Sequence, residues 1–291
     1  MSSIAFKKAW RWLTANSSRV HLHNFNKAFA SRVPAGALVL DSGAGSAPYR
    51  DLFAHARYES ADFEQVDKLY AKSTYVCDLT SIPVEDDRFD FIIFNQTLEH
   101  VPEPFEVLRE LHRVLKANGR IICTAPFFYE EHEQPFDFYR YTQFAHRHLF
   151  AKAGFTIDSI EWMEGYLGTV AYQLETAAKY LPLRPHDIYP GFLGFVLLPI
   201  FCALRVAFVL VAAVFYRLDI LAPYKKSGFP KNYVVVAEPN HCCYRRAPPV
   251  LRMSAIDAVD GSSLKVQSRT RGLNRQLFYA RQRAALIRNG G

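Results

Sequence analysis

The stretch that most narrows the folding choices runs from Ala37 to Ala47. Ala37-Leu38-Val39-Leu40-Asp41 is a short apolar run ending on a carboxylate, and it passes directly into Ser42-Gly43-Ala44-Gly45-Ser46-Ala47. Four apolar residues in so short a run suit a buried strand better than a helix. The two glycines permit backbone angles that a Cβ resists, and they leave the N–H groups of the turn open to close approach by a ligand. Such N–H groups favour an anionic or polar ligand group. A strand, a glycine turn and then a helix is the opening of a parallel α/β unit, so a helix is expected after the turn. The same pattern also fits an ordinary strand-to-helix connection. The turn, with Ala47, lacks the third glycine of a dinucleotide fingerprint, which counts against a nicotinamide cofactor.

The alternation continues. Strands are expected at Tyr58–Asp62, Thr74–Cys77, Phe89–Phe94, Arg120–Ala125 and Phe155–Trp162. Phe91-Ile92-Ile93-Phe94 is apolar on both strand faces, as central parallel strands are. Phe105, Leu108, Leu111, His112 and Leu115 repeat at helical steps, so a helix is expected over Pro104–Lys116 with Asn118-Gly119 as its stop. A second helix is expected over Thr142–Ala153, ended by Gly154, and an N-terminal one over residues 1–30, where Phe6, Trp10, Leu13 and Ser17 recur near the helical period. That first helix suits packing on the domain, a lid or a membrane surface. The fold expected is α/β: a Rossmann-like, seven-stranded, mostly parallel sheet with helices on both faces.

Three acids and one block carry the chemistry. Asp62 ends the second strand, 21 residues after Asp41, a spacing at which an acid accepts hydrogen bonds from ribose hydroxyls. Glu59 and Glu64 compete for that role, and a solvated strand-end acid is the plain alternative. Asp78, beside Leu79, follows the third strand on the carboxyl edge and could accept from an adenine amine. The block runs Asn95-Gln96-Thr97-Leu98-Glu99-His100-Val101-Pro102-Glu103-Pro104 and on through Arg113-Val114-Leu115-Lys116 to Gly119-Arg120.

In this order and spacing, residues from about 37 to 126 resemble the class I S-adenosylmethionine-dependent methyltransferases, in the subgroup that includes quinone-biosynthesis and sugar-modifying enzymes. The resemblance implies S-adenosylmethionine as cofactor. It implies that Asp41, Gly43 and Gly45 contact the amino-acid end of the cofactor, Asp62 the ribose, Asp78 and Leu79 the adenine, and Asn95 and Gln96 the methionine moiety. Glu99 and His100 match the helix that follows.

The stretch from Phe127 to Thr142 follows the fifth strand and is dense in aromatic and acidic residues. Loops at that edge commonly carry substrate sites. It resembles, more loosely, methyltransferases of polysaccharide and lipopolysaccharide assembly. His132 is the first candidate general base and His100 the second, because imidazole accepts protons near neutral pH. Tyr139 and Tyr141 are expected as substrate walls and Arg140 as an anion or hydroxyl contact, against the alternative of a structural loop with Asp137 paired to Arg140. No metal site is expected, since no ligand cluster has convincing spacing.

From Phe192 to Tyr216 the only charge is Arg205 and the only helix breakers are Gly194 and Pro199, a length that could cross a bilayer. Asn232–Ala237 is then a final strand. A single crossing would put that strand on the wrong side of the membrane from its sheet. The segment is therefore expected as a hairpin or re-entrant piece broken at Pro199, an interfacial helix pair, or a buried insertion. Membrane-surface association through 192–216 is preferred over a core or dimer interface, and oligomerisation is left open. Residues 1–238 carry 25 basic and 26 acidic side chains, whereas 239–291 carry ten and two. The net charge of +7 is thus a property of the tail and gives no sign of a specific nucleic-acid partner. Five scattered cysteines without CxxC pairing, and no evident secretory leader, suit a cytoplasmic setting, at the inner face of the membrane if the apolar segment meets lipid.

The expected organisation is a helical segment over 1–36, a methyltransferase domain over 37–238 with an apolar insertion at 189–221, and a basic, disordered tail over 239–291. The expected function is methyl transfer from S-adenosylmethionine to a small-molecule, glycan or lipid-linked acceptor. The alternatives are an NAD(P)-dependent oxidoreductase and a non-catalytic, methyltransferase-like membrane adaptor.

Overall fold

The computed structural model describes residues 16–66 and 68–240. The expectations for Phe6, Trp10 and Leu13 and for the basic tail lie outside the described residues. Helix α1 (Ser17–Ala30) starts where the Asn16 side chain accepts the Ser18 N–H at 3.0 Å, and it buries Leu22, Phe29 and Ala30 against the domain. Strands β1 (Leu38–Ser42), β2 (Arg57–Asp62), β3 (Tyr75–Val76) and β4 (Phe89–Asn95) follow. Then come α2 (Pro104–Val114), β5 (Leu115–Pro126), α3 (Gln143–Lys152) and β6 (Phe155–Trp162). The chain finishes with α4 (Tyr166–Tyr180), the short α5 (Pro185–Ile188), α6 (Phe192–Leu221) and β7 (Asn232–Pro239).

The seven strands form one sheet in the order β3-β2-β1-β4-β5-β7-β6, with β7 antiparallel to both neighbours and the remaining pairs parallel. Alternation along each strand divides the core between two faces. Leu40, Ile92, Phe94, Ile121 and Val235 meet α2 and α3 through Leu108, Leu111 and Phe150. Their neighbours Val39, Ile93, Ile122 and Val234 meet α1 and Phe53 on the opposite face. Fully burying such side chains contributes about 1.5–3 kcal/mol each, so helices on both faces are what this double-sided pattern requires.

Four local expectations change. The glycine turn leads into a single 3-10 turn (Arg50–Phe53), not an α-helix, because Ala47 takes a left-handed φ of 52° immediately before Pro48. Helix α2 stops at Val114, and Leu115 already pairs with Phe89; the Lys116–Gly119 stretch bulges out before Arg120 resumes pairing with Phe91. Gly119 fits there because a Cβ would sit 2.5 Å from the Leu115 side chain and 2.8 Å from the Asp90 carbonyl. Helix α4 has no counterpart in the sequence reading. Helix α6 runs unbroken through Pro199, so the expected break is absent.

Helix α6 packs along α4 through Ala171, Ala212 and Tyr216. Its C-terminal end is anchored by Asp219, which is fully buried and accepts from the Gly165 N–H at 2.8 Å and lies 3.2 Å from His21 Nε2. Only 6% of its most apolar stretch is buried, which overturns the buried-insertion reading. Because β6 precedes α6 and β7 follows it in the same sheet, a single crossing is incompatible with the sheet.

Candidate active site

In an open α/β sheet, ligands bind beyond the carboxyl ends of the strands where strand order reverses. Here that point lies between β1 and β4, which pair in parallel through Val39–Phe91 and Asp41–Ile93. Two chain segments meet above it. Gly43, at φ 74°, donates its N–H to Ala61 O, and Thr97 from beyond β4 donates its hydroxyl to Gly43 O at 3.3 Å. A Cβ on Gly43 would fall 2.3 Å from the Thr97 side chain. Gly45, at φ 52°, differs: a Cβ there would meet nothing within 4 Å, so this turn opens onto space that a ligand can fill.

The acids divide into roles. Asp62 is buried at the end of β2 and accepts from the N–H groups of Gly45 (2.8 Å) and Glu64 (3.1 Å), one on each oxygen. Each carboxylate oxygen keeps a second lone pair, leaving two acceptor positions. Asp41, the penultimate residue of β1, is nearly fully buried and accepts from the Tyr58 hydroxyl at 2.5 Å. Burial pushes its carboxyl up to about 7; the Tyr58 hydrogen bond opposes this and the Asp62 charge adds to it. Asp78 is exposed and closes a turn on its own Thr80, accepting from that N–H and hydroxyl at 2.8 Å each, while Leu79 is buried in the core.

Asn95 and Gln96 sit in a polar chain at the end of β4. Asn95 donates to Asn26 Oδ1 at 2.7 Å and accepts from the Thr124 hydroxyl at 3.0 Å; Gln96 Nε2 donates to the same hydroxyl at 3.2 Å. Asn26 belongs to α1, so the N-terminal helix reaches the site, a link with no periodicity signal in the sequence.

Beyond Gln96 the chain makes a short 3-10 turn, Leu98–His100. Glu99 is completely buried and neither carboxylate oxygen has a hydrogen-bond partner outside its own residue. Burial pushes its pKa up to about 8, against the pull of its own N–H and the Arg140 charge. His100 Nδ1 lies 2.5 Å from Phe136 O, and burial lowers its pKa. The His132 ring makes an edge contact with the His100 ring at 4.6 Å, so the two candidate bases, 32 positions apart in sequence, are neighbours in space. One ligand atom each from Glu99, His100 and His132 lies within 4.8 Å of the others, a cluster the sequence reading did not anticipate.

The 127–142 loop is built mainly by itself. Arg140 donates all five N–H bonds inside it, to Asp137, to Tyr129 O, to Glu130 O and to Tyr139 O, which matches the structural alternative and leaves no donor facing outward. Tyr141 is buried with its hydroxyl on Leu98 O, while Tyr139 is 40% exposed with its hydroxyl on Pro102 O. Phe63 meets Phe136 edge-on and Lys68 bonds Glu133 at 2.7 Å, so the loop after β2 reaches across to this one over the cluster. Sequence reasoning passed over Lys231 just before β7, a nearly buried ammonium held 4.6 and 4.3 Å from the ring centres of Tyr129 and Tyr172. Burial lowers its pKa to about 8, partly offset by Glu164.

Residues 40–123 match the family model described as a methyltransferase domain. Among curated relatives, the demethylmenaquinone methyltransferase of Staphylococcus saprophyticus is 30% identical over 93 residues, covering 30% of this chain and 37% of the relative. That of Halalkalibacterium halodurans is 32% identical over 89 residues, covering 28% and 34%. The matched region thus spans about a third of these relatives' length. Among solved structures, a phosphoethanolamine N-methyltransferase 2 of Haemonchus contortus in complex with S-adenosyl-L-methionine aligns over 75% of this chain and 52% of its own at 16% identity and a TM-score of 0.45.

Proposed function

We propose that this chain, whose residues 40–123 form the methyltransferase domain of a class I S-adenosylmethionine-dependent fold, transfers a methyl group from that cofactor to a small-molecule or lipid-linked acceptor. The observation that carries this reading is the turn at Gly43–Gly45 joined to Asp62, open at Gly45 where a side chain would otherwise stand. The residues suit the cofactor: Asp62 has acceptor capacity for a ribose diol, Gly45 leaves room for close approach, and Asn95 and Gln96 present amides at the end of β4.

When bound, S-adenosylmethionine supplies an electrophilic methyl on a sulfonium sulfur. The chain's own contribution is to hold an acceptor in line with that methyl and to exclude water, and such positioning lowers a barrier by up to about 7–11 kcal/mol. Glu99, His100 and His132, under the Phe63–Phe136 and Lys68–Glu133 contacts, are the groups assigned to handle the acceptor's proton.

The acceptor class is drawn from α6. Phe192, Phe195, Val196, Ile200, Val206, Leu210 and Val214 are each more than half exposed on a 30-residue helix whose most apolar stretch has a mean hydropathy of 2.6. A helix apolar all round is buried in protein or lipid, and this one is not buried in its own domain. The α4–α6 pair therefore lies in a membrane interface, and the acceptor reaches the site from there. The relatives named for demethylmenaquinone fit an apolar acceptor of this kind.

Calorimetry with S-adenosylmethionine and NADH separates this reading from an oxidoreductase or an adaptor. Binding of the sulfonium cofactor, unaffected by NADH and lost in Asp62→Ala, supports it; NADH binding, or no nucleoside binding by the folded chain, overturns it. Flotation with phospholipid vesicles tests the membrane part, and equal flotation of a Val206→Lys/Leu210→Lys/Val214→Lys variant refutes it.

A further inference from the structure

We infer that Glu99, His100 and His132 form a binding site for one divalent transition-metal ion of the zinc or iron(II) type. Two imidazoles and one carboxylate are the donor set of catalytic sites that keep a coordination position open. Each histidine is arranged as a metal ligand requires. The Nδ1 of His100 faces Phe136 O at 2.5 Å, and the Nδ1 of His132 faces Glu130 O at 3.2 Å and Asp137 Oδ2 at 3.3 Å. Those oxygens can only accept, so both Nδ1 atoms carry the proton and both Nε2 atoms present a lone pair. Outer-shell carbonyl and carboxylate partners of this sort commonly orient ligating histidines.

Glu99 supplies the independent observation. Its carboxyl is fully buried and neither oxygen has a hydrogen-bond partner beyond the residue's own N–H. A buried polar group without partners costs about 1–3 kcal/mol, and more if ionised. A cation among these three side chains would satisfy it. Metal bonds of about 2.0–2.2 Å span two donors up to roughly 4 Å apart, and His100 Nε2 lies 3.8 Å from Glu99 Oε1. His132 belongs to the 127–142 loop, whose approach by about an ångström would close the remaining separation.

This inference deepens the methyl-transfer reading and rests on it for its chemistry. An acceptor hydroxyl would take the open position on the ion. Its O–H bond breaks, the proton leaves to water, and the electron pair stays on oxygen as the nucleophile. With both imidazoles ligating, these residues handle the acceptor's proton through the ion, in place of the direct general base expected from the sequence.

The test uses the full chain stripped with dipicolinate and titrated with Co²⁺, read by visible ligand-field absorption, beside calorimetry with S-adenosylhomocysteine on the same preparation. The expected result is one Co²⁺ per chain, displaced by Zn²⁺, with affinity falling about tenfold or more in Glu99→Gln and in His132→Ala and unchanged in His186→Ala, an exposed histidine on α5. Thermal unfolding confirms that each variant folds; should Glu99→Gln fail to fold, His132→Ala on the outer loop carries the comparison. No saturable Co²⁺ binding, or equal binding by parent and variants, overturns the site. Cofactor-product binding without Co²⁺ binding removes the metal and leaves the methyltransferase; Co²⁺ binding without cofactor-product binding does the reverse.

Discussion

Gly43 and Gly45 are two positions apart in one turn, both at positive φ, yet they should fail differently when given a methyl group. In Gly45→Ala the added Cβ meets no protein atom within 4 Å, so the cost is backbone strain alone at φ 52°, about 1–2 kcal/mol. In Gly43→Ala the same strain applies at φ 74°, and the Cβ also falls 2.3 Å from Cγ2 and Oγ1 of Thr97 and 2.7 Å from its Cβ. Overpacking of that kind adds about 1–3 kcal/mol, for a total near 2–5 kcal/mol. At about 2–4 °C per kcal/mol for a domain of this size, Gly43→Ala should melt several degrees below Gly45→Ala. Adding Thr97→Ala removes the two nearest atoms, so a double-mutant cycle should show favourable coupling between Gly43→Ala and Thr97→Ala and none with Gly45→Ala. Cofactor affinity should rank the other way relative to stability, with Gly45→Ala losing binding while remaining well folded, because its methyl enters the open side of the turn. Equal destabilisation by the two alanines, with no coupling to Thr97, would refute the assignment of Gly43 to packing and Gly45 to the ligand.

Asp62→Asn should weaken S-adenosylmethionine binding by about 1.5–3 kcal/mol, the range for hydrogen bonds to a charged group, measured by calorimetry with the melting temperature as control. Asp41 makes stability depend on pH in a defined direction. Its folded pKa of about 7 lies above the ordinary carboxylate value of 3.8, so its contribution is complete below about pH 4 and is lost as pH rises through 7; the unfolding free energy from urea titrations should fall over that window by up to roughly 4 kcal/mol, and Asp41→Asn should flatten the curve. Ala47→Gly should raise the melting temperature slightly, since relief of about 1–2 kcal/mol of left-handed strain exceeds the roughly 0.4–1 kcal/mol that glycine costs through the unfolded chain.

All seven strands were located in the sequence, β1, β4, β5 and β7 from apolar runs with polar or glycine stops and β2, β3 and β6 from shorter or alternating segments, although β5 begins at Leu115, where a helix was expected. Helix α4 was not, because much of its buried face is made of Gly168, Thr169, Ala171 and Ala178, small residues that leave almost no hydropathy period. Glycine at 165 and 168 is required there by the Asp219 carboxylate, which a Cβ would approach to 2.7 and 2.5 Å, a constraint from a residue some fifty positions away. The Asn118-Gly119 pair looked like a helix stop and is a strand bulge, since local turn chemistry does not distinguish the two. Asp41, Gly43, Gly45 and Asp62 come together as their spacing implied. The Glu99–His100–His132 cluster was hidden because it joins the ends of two different strands, and burial of Glu99 is a tertiary fact.

Strand β6 touches the sheet only through β7, which arrives 77 residues later in the chain. At a synthesis rate of about 5–20 residues per second, the ribosome leaves β6 and the free side of β5 without a neighbour for roughly 4 to 15 s. Helix α6 emerges within that interval, before the last strand can lock the domain shut. A nascent chain of this protein therefore offers its greasiest segment to lipid or to a chaperone while its sheet is still open, and the membrane attachment proposed for α6 would begin during translation, before the domain closes.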